Sequence, residues 1–105
     1  MSAAASNPLS FPDPYEVTIS YKNGQISVDK DPIVIDKTKG EHLVWLADGD
    51  FDFTICFERD SPFAGRHFHK HSNGSGRPRP GSTGRYKYCI EVDGKVLDPD
   101  VIIRP

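Results

Sequence analysis

Cysteine is scarce in this sequence, with only Cys56 and Cys89 in 105 residues. Two are too few for a disulfide scaffold, so free thiols on buried or half-buried strands are expected, with a single bridge between them as the alternative. Methionine occurs once, as Met1. No apolar stretch approaches the roughly 18 residues that a membrane span needs. Met1 to Ser10 lacks the basic and apolar regions of a signal peptide, which makes the cytoplasm the expected location. No window shows the apolar spacing of a helix of ten or more residues, and no internal repeat is present. The sequence also lacks a Ser/His/Asp order, a phosphate loop, a paired-cysteine metal motif and a helical His-Glu signature, so no enzyme is expected.

What remains is a chain patterned for strands. Tyr15, Val17, Ile19 and Tyr21 alternate with polar residues, and Asn23-Gly24 turns the chain toward Ile26 and Val28. Pro32 to Asp36 is a third short strand, begun by a proline that suits an edge or a strand start. His42 to Leu46 is the most apolar run of the first half. Phe51, Phe53, Ile55 and Phe57 share one face of the next strand. Gly84 to Val92 alternates again, with Tyr86, Tyr88, Ile90 and Val92 on one face. Asp93-Gly94 supplies a tight hairpin turn, and Val101-Ile102-Ile103 closes the pattern. Residues 1–14, with Pro8, Pro12 and Pro14, are expected as a flexible leader, and 15–105 as one domain. From 59 to 84 the periodicity dissolves into a long connection rich in Gly, Pro, Ser, His and Arg, and a connection of that length is usually functional or disordered. Seven or eight strands without helices argue an all-β fold, a Greek-key antiparallel β-sandwich, with an immunoglobulin-like sandwich as the alternative.

Taken in order, Leu43-Val44-Trp45-Leu46, an acidic turn, an aromatic strand, a Pro-Phe loop, a variable stretch, Gly84-x-Tyr86-x-Tyr88 and a terminal Val-Ile-Ile strand resemble the cupredoxin fold of plastocyanin-like proteins over roughly 15–104. The resemblance implies a blue-copper site, with one His after the Trp-bearing strand and a Cys, a His and usually a Met around the last hairpin. This chain departs from it. Phe53 falls near the first His position and Ile90 at the Cys position, while Cys89 is one residue out of register and so on the opposite face. A cupredoxin-like sandwich without blue copper is the expectation.

Charge is unevenly spread behind a formal net −2. Between Asp13 and Glu58 acidic residues outnumber lysines ten to four, whereas Arg59 to Lys87 holds seven basic residues against Asp60 alone. The basic connection therefore carries the leading functional expectation: a non-catalytic binding module in which Arg66, Lys70, Arg77, Arg79, Arg85 and Lys87 meet carboxylates or phosphates of a partner. Nucleic acid is a weaker candidate partner, because the whole-chain pI is about 6.0. The alternative expectation is a metal site. In extended backbone His67, His69 and His71 project from one face and would take Zn(II) or Cu(II), with a carboxylate such as Asp60 completing the shell. Asp48, Asp50 and Asp52 have the spacing of part of a calcium loop and read as a plain turn. The Tyr15 to Tyr21 strand looks like an unprotected sheet edge through which copies could assemble.

Overall fold

The computed structural model describes residues 14–105. The leader expected over 1–14 therefore lies, Pro14 aside, outside the described residues. Ten strands follow in chain order: β1 Tyr15–Lys22, β2 Gln25–Val28, β3 Ile33–Asp36, β4 Leu43–Ala47, β5 Thr54–Cys56, β6 His67–His69, β7 Gly84–Lys87, β8 Cys89–Val92, β9 Lys95–Leu97 and β10 Asp100–Arg104. A short 3₁₀ turn, Lys37–Lys39, is the one helical element among the described residues. The fold is all-β and built of three small sheets, ordered β2-β1-β4, β3-β10-β7 and β6-β5-β8-β9, an arrangement compatible with a sandwich.

Two of the ladders correct the expectation of a purely antiparallel fold: β4 runs parallel to β1, and β3 runs parallel to β10. Side-chain periodicity carries no information about strand direction. β1 pairs with β4 over residues 15–19 and with β2 over residues 19–22, so each half of the Tyr15 to Tyr21 strand has a strand neighbour on one side.

Residues 84–104 tie the sheets together. β7-β8 and β9-β10 are the two arms of one hairpin, turned at Asp93 (φ 51°) and Gly94 (φ 77°), the pair of positive φ angles a tight turn requires. Its register is unbroken from Val92↔Lys95 to Ile103↔Gly84. At the midpoint Tyr88 N–H donates to Pro99 O at 3.1 Å. There the hairpin changes neighbours: its turn half lies against β5, and its open half lies against β3.

The inward faces supply a single core in which Val17, Ile19, Ile33, Ile35, Ile55 and Ile90 are fully buried. Trp45 sits among aromatics, with ring centroids 5.2 Å from Phe68, 5.8 Å from Tyr88 and 6.4 Å from Phe57. Such pairs add roughly 0.5–1.5 kcal/mol each beyond the area they bury. Phe53 and Ile90, at the positions where the cupredoxin resemblance places metal ligands, are both packed in this core.

Candidate functional site

The 59–84 connection is more structured than its composition suggests. It contains β6, which pairs with β5, and its return leg bridges to β4 through Val44↔Gly74. Polar side chains stitch the rest. The buried Ser75 hydroxyl accepts from Leu43 N–H at 2.8 Å, and the Asn73 amide donates to Trp45 O at 2.8 Å. The Ser61 hydroxyl donates to Gly65 O at 2.7 Å. Composition conceals this because small polar residues bonded to backbone read, in sequence, like a solvated loop.

The basic residues of the connection divide by what their heads touch. Arg66 is committed to backbone, donating to Phe57 O at 3.2 Å, Glu58 O at 2.5 Å and Arg59 O at 2.9 Å. Arg79 donates to Ser61 O and pairs with Asp60 at 3.1 Å. Arg85 pairs with Asp100 at 2.6 Å, and Lys87 lies 3.5 Å from the same carboxylate, so one anion faces two cations. Their side chains stay 60% and 63% exposed. Lys70 is apart from the others, 3.9 Å from Asp50 at the far end of β6.

Three further cations join this group through contacts that sequence spacing does not reveal. The 3₁₀ turn is capped by Asp36, whose carboxylate accepts from Thr38 N–H at 2.9 Å and from the Thr38 hydroxyl at 2.6 Å. The Thr38 hydroxyl bond, opposed by desolvation and aided by the Thr38 amide and the Lys39 charge, holds the Asp36 carboxyl below its ordinary range. Gly40 ends the turn at φ 70°, and the Arg77 guanidinium lies against it, 3.6 Å from where a Cβ would stand. Lys37 Nζ donates to Ser82 O at 2.5 Å. Arg104 follows Ile103 on β10, in register with Asp36. Lys37, Lys39, Arg77, Arg79, Arg85 and Arg104 thus gather where the open end of the hairpin meets the 3₁₀ turn and the return of the connection. Lys39, Arg77, Arg79, Arg85 and Arg104 are exposed. The nearby carboxylates are engaged: Asp36 with Thr38, Glu41 with Asp36 N–H at 2.6 Å, Asp60 with Arg79, and Asp100 with Arg85 and Lys87.

A cleft of about 630 Å³ adjoins this rim. It opens where the hairpin leaves β5 for β3, so that the chain beyond Cys56 and strand β7 diverge. Arg59, Arg85 and Lys87 line it together with Glu58, Asp60 and Asp98, and Tyr86, Tyr88 and Cys56 also line it. Its charges are therefore mixed, whereas the rim is predominantly cationic. A second hollow, about 670 Å³, lies at the turn end of the hairpin and is lined by Asp48, Asp50, Asp52 and Asp93 with Lys22. The two ends of the molecule differ in sign.

His67 and His69 lie on the outward face of β6, flanking the buried Phe68. His71 does not continue that row. Mutual bonds between His69 and Ser72, at 3.1 and 2.9 Å, close a tight turn that contains Lys70 and His71. The extended backbone on which three aligned imidazoles depended ends at His69. Among the described residues no group of three or more His, Cys, Asp or Glu side chains is arranged to hold a metal ion. Among those same residues, no helix is long and apolar enough to cross a membrane. No protein-family model matches the chain, and neither a curated protein nor a solved structure gives a significant match.

Proposed function

We propose that this chain is a non-catalytic binding module that meets an acidic or phosphate-bearing partner through the cationic rim, on a sandwich of cupredoxin-like type that carries no blue copper. The observation that supports this reading is the convergence of Lys37, Lys39, Arg77, Arg79, Arg85 and Arg104 at one end of a chain whose formal net charge is −2. A single exposed ion pair contributes about 0–1 kcal/mol, so binding rests on several acting together and on the steering field they create. Arg77 and Arg79 provide planar forks that suit carboxylate and phosphate geometry. The stitched connection holds these forks to the sandwich, which lowers the ordering cost of binding.

Retention on immobilised heparin under a salt gradient tests the proposal. A net-negative protein with a clustered rim is retained and released as salt rises, and the double variant Lys39→Glu/Arg77→Glu passes through. Equal retention of that variant and the unmodified chain, or no retention of either, contradicts the proposal. The alternative reading, Zn(II) or Cu(II) at His67, His69 and His71, rests on the two imidazoles that share the outer face of β6. It requires stoichiometric metal in protein purified without chelator.

A further inference from the structure

Cys56 and Cys89 are register partners: on adjacent antiparallel strands β5 and β8 they stand directly opposite each other. Their neighbours on both sides in sequence, Ile55 and Phe57 on one strand and Tyr88 and Ile90 on the other, are buried, so both thiols face outward from the core. Both are half-buried and both are free. Directly opposed residues of an antiparallel pair have Cα atoms about 4.5–5.5 Å apart. That separation falls within the roughly 4.4–6.8 Å that a disulfide spans, so the backbone spacing is compatible with a bond. His67 on β6 is in turn the register partner of Cys56. Cys56 is among the residues that line the cleft.

We propose that Cys56 and Cys89 form a reversible cross-strand disulfide, a redox modification site bordering the cleft that takes low-molecular-weight disulfides as its oxidant. The proposal rests on strand register and access and is independent of the rim. Cys56 is the thiol the cleft exposes, and its thiolate attacks one sulfur of the oxidant, releasing one thiol and leaving a mixed disulfide on Cys56. Cys89 then attacks the Cys56 sulfur, the Cys56–Cys89 bond forms, and the second small thiol departs with the proton that Cys89 gives up. Two protein thiols are oxidised and one small disulfide is reduced to two thiols. The order follows from the site. Burial, with Cys56 and Glu58 beside it, pushes the Cys89 thiol up to about 11, which disfavours it as the first attacker but not as the intramolecular one.

The test incubates the full chain in glutathione buffers of graded oxidised fraction, blocks remaining thiols with iodoacetamide and records intact mass and a peptide map. The expected result is loss of both thiols in one step, a mass lower by about 2 Da before blocking, and a peptide linking Cys56 to Cys89. Cys89→Ser is expected to accumulate a glutathione adduct on Cys56, heavier by about 305 Da, which the unmodified chain does not retain. Two free thiols in fully oxidised buffer, or two persistent glutathione adducts, overturn the proposal. Should the serine variant fail to fold, the cross-linked peptide of the unmodified chain decides alone.

Discussion

Arg66 and Arg77 carry the same side chain within one connection and serve different ends. Arg66 reaches three successive carbonyls and fastens the start of the connection to the end of β5. Arg66→Ala is expected to lower stability by about 1.5 kcal/mol in urea unfolding, and Arg66→Lys to restore little, since a compact ammonium does not reproduce the fork. Arg77→Ala, whose head rests on the outside of Gly40, is expected to leave the unfolding midpoint nearly unchanged while weakening polyanion binding. Phe57 is fully buried and stacks on Tyr88 with ring centroids 5.3 Å apart. Phe57→Ala is therefore expected to cost about 3–5 kcal/mol, read by Trp45 fluorescence. The Cys89 thiol is raised from 9.0 to about 11 in the fold, so its contribution to stability is complete below pH 9 and declines as pH rises through 11. Cys89→Ser is expected to flatten that alkaline part of the stability profile, measured as melting midpoint against pH.

The elements show where sequence patterns succeed and where they stop. Asn23-Gly24 and Asp93-Gly94 turn as their residue types demand, because few other pairs adopt two successive positive φ angles without strain. Gly94 has nothing within 4 Å of an added Cβ, so Gly94→Ala tests conformation alone, with an expected loss of about 1 kcal/mol. The alternation of Gly84 to Val92 marks an inward face that holds from Tyr86 through Val92, as half-buried Tyr86 and buried Tyr88, Ile90 and Val92 show. The change of partner at Tyr88 leaves no trace in that alternation, because a strand can trade neighbours without changing which face is apolar. The parallel pairing of β1 with β4 is equally invisible. β6 was hidden because its alternation runs His-Phe-His over only three residues.

At the scale of the whole molecule, charge is divided along the closing hairpin, with cations at its open end and carboxylates at its turn. Half of this was legible. Arg77, Arg79 and Arg85 stand out in sequence as members of a basic segment, and they do meet at one end. Lys70 belongs to the same segment yet falls at the opposite end, because β6 carries it away from the others. Lys37, Lys39 and Arg104 escaped notice for the converse reason: they are remote in sequence and arrive through the β3/β10 pairing and the Lys37–Ser82 contact. Net charge is a sum and hides such a division, whereas an approaching polyanion responds to the local field. The most direct test is an amide chemical-shift titration of the isotopically labelled chain with tripolyphosphate at low and at physiological salt. Saturable shifts are expected, confined to 36–41, 77–85 and 102–104 and weakening strongly at physiological salt, where the Debye length is about 8 Å. Shifts centred on the acidic hollow, spread evenly over the chain, or indifferent to salt would contradict that expectation.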